Sequence, residues 1–163
     1  MRRISLLALI LLVAATSVFA QVDLAKVKDG FYFAQDSKFS SSGWKEQAVV
    51  EVKGGKIVAA TWNGVSNIAG AADKLTHAAA GKYGMVKASK IKAEWNAQAK
   101  ITADYLVKTQ DVNFSKFGKD GKTDAISGST MAVSVFYALV KEALASAPVA
   151  KGPYKDGWYF AQQ

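Results

Sequence analysis

Gln47-Ala48-Val49-Val50-Glu51-Val52-Lys53-Gly54-Gly55-Lys56-Ile57-Val58-Ala59-Ala60-Thr61-Trp62 reads as an antiparallel β-hairpin. Two runs rich in β-branched residues flank a Gly-Gly pair, which is the composition of a tight turn between strands. Upstream, Asp29-Gly30 marks a turn before the aromatic run Phe31-Tyr32-Phe33-Ala34, a third strand by its composition. Ser37 to Gly43 is a serine-rich connection, flexible by composition.

Downstream of the hairpin the pattern changes from strands to helices. Asn63-Gly64 is expected to close the second strand, and the small-residue stretch Ala69 to Ala80 is long enough for one short helix. In Gly81-Lys82-Tyr83-Gly84-Met85 the glycines allow the backbone to approach a ligand closely; a plain turn with a packed tyrosine is the other reading. Trp95, Ala99, Thr102, Leu106 and Thr109 recur at spacings of three or four and predict an amphipathic helix over Ala93 to Thr109. A polar loop, Gln110 to Thr123, follows, with Phe114 and Phe117 as its anchors to the core. The most apolar helix is expected from about Thr130 to Ala145, with Met131, Val135, Phe136, Leu139, Val140, Ala143 and Leu144 on one wide face and Pro148 as its stop. These elements predict an α+β fold: a single small domain with an antiparallel sheet and two main helices.

Residues 1–20 have the form of a secretory signal peptide. Arg2 and Arg3 supply the basic end, Ile4 to Ala15 is an apolar run short for a membrane span, and Val18-Phe19-Ala20 offers small residues before a cleavage point. The expected organisation is therefore a signal peptide at 1–20, a domain at 21–147 and a terminal segment at 148–163, with the mature chain periplasmic or secreted. That chain is long enough for one core.

The 163 residues include no cysteine and one histidine, His77. Disulfides, lipidation through cysteine, covalent haem and cysteine-held iron–sulfur clusters are thereby excluded, and the usual zinc ligand sets are missing, so no metal site is expected. Redox chemistry on this chain would need an organic cofactor. The net charge of +8 comes from Arg2, Arg3 and lysines scattered along the chain; most of the lysines read as a solvated surface, and the excess suits an anionic ligand or an acidic partner better than nucleic acid.

One further stretch carries chemistry: Asp124-Ala125-Ile126-Ser127-Gly128-Ser129-Thr130, just ahead of the apolar helix. Ser127 or Ser129 can cap a helix there, Gly128 permits a turn or a close approach, and free amides at a helix start bind phosphate. Thr130 adds a hydroxyl at the same place. No general base stands at a readable spacing, so Thr130 is a poor self-activated nucleophile. By chemistry alone the first reading of this stretch is an ordinary Ser/Gly-rich helix cap.

The stretch resembles the flavinylation signature of the FMN-binding domain family, found in the periplasmic FMN-carrying subunits of the Nqr and Rnf redox pumps and in stand-alone secreted FMN-binding proteins. That signature runs Asp, two residues of any kind, Ser or Thr, Gly, usually Ala, then Thr; here Ser129 stands in place of Ala. The Asp29-Gly30 aromatic strand, the Gly-Gly-Lys hairpin and the helix before the loop are similar to the family as well. The resemblance implies that a separate Mg-dependent flavin transferase takes FMN from FAD and attaches it by a phosphoester to Thr130, with Asp124, Ser127, Gly128 and Ser129 as the recognition loop. Trp62, Tyr83 and Trp95 are candidates to flank the flavin ring, or are plain core aromatics. The implied function is electron transfer between a membrane donor and an extracytoplasmic acceptor by a carrier that is not itself an enzyme. A non-redox periplasmic module binding FMN or another phosphorylated ligand non-covalently is the alternative.

Lys155 to Gln162, at the chain's end, repeats Lys28 to Gln35 at seven of eight positions, with Trp158 against Phe31. Such a repeat is either the first strand of a second domain copy or an equivalent strand on the same sheet.

Overall fold

Tight turning at Gly54 and Gly55, with φ of +57° and +70°, reverses the chain between β2 (Trp44–Lys53) and β3 (Lys56–Ser66). Glycine adopts positive φ angles without a Cβ penalty, so a Gly-Gly pair suits the turn here. The Asp29 carboxylate accepts the Gly54 amide at 2.7 Å and ties the turn to the start of β1 (Gly30–Gln35). The structure, a computed structural model, describes residues 21–149. The expected signal peptide and the repeat at 155–162 lie outside the described residues.

The fold is α+β, as expected. β1, β2 and β3 form an antiparallel sheet in that order. Four α-helices follow among the described residues: α1 (Lys74–Ala79), α2 (Met85–Ala88), α3 (Trp95–Thr109) and α4 (Ser134–Ala145), of which α3 and α4 are the long ones. Helix α4 packs across β1 and β2, and α3 packs against β3. One face of the sheet is thus covered by helices, and its residues alternate accordingly. In β2 the covered positions are Trp44, Ala48, Val50 and Val52. On the opposite face Phe31, Phe33 and Val49 remain exposed.

Strand β3 contains an irregularity that the hairpin pattern did not reveal. Glu51 pairs with Ala59, but Val52 pairs with Ile57, so Val58 is an extra residue. A bulge of this kind inverts the alternation. It lets Ile57 and Trp62, five residues apart, both face the core while Val58 is exposed. Gln110, the left-handed residue ending α3 (φ +58°), straps this site: its side chain accepts from the Ile57 amide at 2.8 Å and donates to the Ile57 carbonyl at 2.9 Å.

Three boundaries differ from expectation. β3 does not close at Asn63-Gly64 but runs on to Ser66, because Gly64 leaves room for the neighbouring backbone: a Cβ there would lie 3.2 Å from the Lys45 carbonyl oxygen. The helix expected over Ala69 to Ala80 is confined to α1, where Asp73 starts it by accepting the Thr76 amide at 3.1 Å. The Thr76 hydroxyl also bonds that carboxylate and holds it below the usual carboxylate range. Finally, α4 starts at Ser134 and not near Thr130.

After α4 the chain returns to the outer edge of β1, where the Val149 amide donates to the Phe31 carbonyl in an isolated antiparallel bridge. Beneath α4, Phe114, Phe117, Phe136 and Tyr137 form one aromatic cluster with ring centroids 5.0 to 5.9 Å apart. Phe114 is buried and Phe117 half-buried, so both anchor the polar loop as expected. The Tyr137 hydroxyl is buried there without a hydrogen-bond partner among the described residues, and burial raises its pKa. An unsatisfied buried hydroxyl costs about 1–3 kcal/mol. Tyr137→Phe is therefore expected to leave the urea midpoint unchanged or raise it; a drop of more than about 1 kcal/mol in unfolding free energy would mean that the hydroxyl is in fact bonded.

Candidate functional site

Thr130 lies on the lip of a groove of about 440 Å³ between the sheet and the helices. The walls are Glu46 and Trp62 from the sheet, Lys74 from α1, Tyr83 and Met85 from the segment before and into α2, Trp95 from α3, and Lys122, Met131, Ala132 and Val135 around the start of α4. This volume and mostly apolar lining suit a small organic ligand. Four residues picked from the sequence, Thr130, Trp62, Tyr83 and Trp95, thus converge on one cavity although they come from four parts of the chain.

The aromatic residues serve as the floor and one side. Trp62 and Trp95 are buried and meet edge to face at 5.4 Å, and Trp62 stacks on Phe136 at 5.5 Å. Tyr83 is half-buried, with its ring 6.2 Å from Trp95. These rings touch one another, so a flat ligand would lie against the cluster and not between two of its members. Glu94 clamps the side wall: its carboxylate accepts both the Met85 amide at 3.0 Å and the Trp95 amide at 2.9 Å.

Thr130 is held by a residue that the sequence did not single out. Gln98 of α3 is fully buried, and its side-chain oxygen accepts from the Thr130 amide at 2.8 Å and from the Thr130 hydroxyl at 3.1 Å. The Gln98 amide nitrogen in turn donates to the Ala93 carbonyl at 3.0 Å, which fixes the side chain's orientation. A buried polar residue on a core-facing helical position was the available signal. Thr130 itself is exposed, and its hydroxyl meets a neutral amide and no base.

The rest of the motif builds the turn and does not line the groove. Gly128 has φ +87°, and a Cβ there would lie 2.9 Å from Ile101 of α3. Ser129 is buried, its hydroxyl 3.4 Å from that of Thr102, so the polar replacement for alanine has a partner. Asp124 and Ser127 are exposed and make no side-chain hydrogen bond or ion pair among the described residues. Neither Ser127 nor Ser129 caps α4, contrary to expectation. Val133 occupies that position with no side-chain cap, and the first helical amide, Ser134, donates instead to the Gly121 carbonyl at 3.1 Å. The Met131 and Ala132 amides, next to Thr130, have no acceptor among the described residues.

Gly128→Ala is expected to destabilise the domain by about 1–3 kcal/mol, since it combines left-handed backbone with a steric contact. Chemical denaturation measures it, and an unchanged midpoint would show that the turn relaxes freely.

The strongest electrostatic feature of the groove also escaped the sequence reading. Lys74 is buried and forms an ion pair with Glu46, whose other oxygen accepts the Trp62 indole N–H at 2.9 Å. The Lys74 ammonium lies 4.4 Å from the Trp95 ring centroid, 5.1 Å from Tyr83 and 5.8 Å from Trp44, within cation–π range of all three. The signal for Glu46 was legible: it shares the even-numbered face of β2 with Trp44, Ala48, Val50 and Val52. At the rim, Lys122 pairs with Asp120 at 3.2 Å, and the Lys122 amide and ammonium hold the Asp120 carboxyl below its usual range. Among the described residues no cluster of three histidine, aspartate or glutamate side chains could hold a metal ion.

No protein-family model and no curated protein matches the chain. Among solved structures, a crystal structure of a Clostridium perfringens protein is similar over 74% of this chain and 88% of that one, at 21% identity and a TM-score of 0.55, which bears on the fold alone. A Clostridium thermocellum protein solved by solution NMR is 44% identical, over 72% of this chain and 90% of that one, with a TM-score of 0.55. At that identity and coverage, the chain belongs to the family of the Clostridium thermocellum protein.

Proposed function

We propose that the chain is an exported electron carrier with FMN attached by a phosphoester to Thr130, serving between a membrane donor and an extracytoplasmic acceptor. The observation that carries this reading is the placement of an exposed Thr130 hydroxyl on the lip of a groove whose floor is Trp62 and Trp95 and whose side is Tyr83. The residues present fit the group. Thr130 would hold it covalently, Lys122 and the Met131 and Ala132 amides, which have no acceptor among the described residues, suit its phosphate, and the aromatic cluster suits the flat apolar face of its ring. When bound, FMN supplies reversible electron transfer, which no side chain of this protein can provide.

The chain's own part is to present, orient and shield. Gln98 positions the Thr130 hydroxyl without activating it, because an amide oxygen is not a base at neutral pH. Activation therefore falls to a separate enzyme, a Mg-dependent flavin transferase drawing on FAD. In that transfer the Thr130 hydroxyl gives its proton to a base of the transferase, its oxygen forms a bond to the FMN phosphorus, the bond to the AMP half of FAD breaks, and AMP leaves. The ion pair and the packed rings line the groove where water would otherwise reach the ring.

Protein incubated with a flavin transferase, FAD and Mg²⁺ is expected to gain the mass of FMN less water, and to stay yellow after denaturation and filtration. Colour lost on denaturation would replace this reading with non-covalent binding, and an unchanged mass without colour would end both.

A further inference from the structure

A buried lysine–glutamate pair costs desolvation that its mutual attraction seldom exceeds, and well-packed apolar residues in its place are often as stable. Lys74 and Glu46 are such a pair, with side chains only 5% and 15% exposed, and both line the same groove as Thr130. Three aromatic rings surround the ammonium and the Trp62 indole holds the carboxylate, so neither side chain can swing out to solvent without breaking several contacts. Its electrostatic consequence follows from the geometry: two opposite charges stand fixed beside the aromatic groove, in surroundings where water screens poorly.

We propose that Lys74 and Glu46 are positioning residues that set the reduction potential of the group carried on Thr130, by holding the groove electrically balanced. This rests on the FMN reading above. Full reduction of the ring adds two electrons and one proton and leaves one net negative charge. The electrons come from the reduced membrane carrier in the cell, and from dithionite in the assay. A positive groove would favour that charged product and a negative one would oppose it. With both residues present the fixed charges offset each other; removing one partner unmasks the other.

The test uses the full chain loaded by flavin transferase, with attachment checked first by intact mass and the potential then measured by dithionite titration against a reference dye at pH 7. Glu46→Gln, which leaves Lys74 unopposed, is expected to raise the potential. Lys74→Met, which leaves Glu46 unopposed, is expected to lower it. Each shift should correspond to at least a tenfold change in the reduced-to-oxidised equilibrium, about 30 mV for a two-electron couple. The double variant Lys74→Met with Glu46→Gln restores balance and should return close to the wild-type value. A purely structural role would not move the singles in opposite directions and bring the double back. If one single variant fails to fold, the other single and the double decide. Shifts of the same sign, or none, in variants that carry the flavin overturn the proposal while leaving the FMN reading intact. Absence of flavin from the wild-type chain ends the FMN reading itself, and this proposal with it.

Discussion

Thr130→Ala is expected to abolish covalent flavin completely, with no mass gain under conditions that modify the wild-type chain. The effect is all-or-none because the hydroxyl oxygen is the atom that would carry the phosphoester, and neither of the neighbouring residues can take its place. Ser129 is buried with its hydroxyl near Thr102, and Met131 has no hydroxyl. Folding should be almost unaffected. Thr130 is exposed, and its amide bond to Gln98 does not depend on the side chain. The substitution removes only one hydroxyl bond at 3.1 Å to a Gln98 oxygen that keeps another donor, so the cost should stay below about 1 kcal/mol. Intact mass and urea denaturation on the same preparation separate the two consequences. Thr130→Ser, which keeps the oxygen, should retain attachment. A full mass gain in Thr130→Ala would move the attachment point elsewhere.

Phe136→Ala is expected to destabilise the domain by about 3–5 kcal/mol, the usual cost of deleting a fully buried aromatic side chain. Phe136 is 0% exposed and touches two different parts of the core. Its ring stacks on Trp62 at 5.5 Å and meets Tyr137 at 5.6 Å. Removing it opens a cavity beneath the floor of the groove, at the point where α4 rests on the sheet. A loss of this size is a large share of the stability of a domain of this length. Guanidinium or urea unfolding reads it directly, and a fall of less than about 1 kcal/mol would place Phe136 outside the core. In variants that still fold, the flavin-carrying form should show altered ring absorbance, since the Trp62 plane loses its support.

Much of the architecture was legible along the chain because it depends on neighbours in sequence. Alternation in Gln47 to Val52 and the Gly54-Gly55 pair predicted the hairpin, and the three-to-four spacing from Trp95 predicted α3. The bulge at Val58 was not legible, since nothing local distinguishes it from a regular strand. What demands it is the need for both Ile57 and Trp62 to reach the core, together with the grip of Gln110 from the far end of α3. The expected start of α4 near Thr130 failed for a similar reason. Apolar residues at Met131 and Val133 continue the helical pattern, but the Thr130 amide is taken by Gln98 and the Ser134 amide by Gly121, which keeps the chain in turns until Ser134.

The candidate site divides in the same way. Thr130 and its motif could be named from seven consecutive residues, and Trp62, Tyr83 and Trp95 from their aromatic character. That these four share one groove, while Asp124 and Ser127 stand apart from it, is a matter of how the helices pack on the sheet. Lys74 and Glu46 are 28 residues apart, and Gln98 and Thr130 are 32 apart. The sequence alone determined the order of the three strands and the two long helices, and marked Thr130 as a candidate, because turn chemistry and hydrophobic period act over a few residues. Only the tertiary structure decided which polar groups are buried together and what they face, because burial of a charge depends on partners brought from distant parts of the chain.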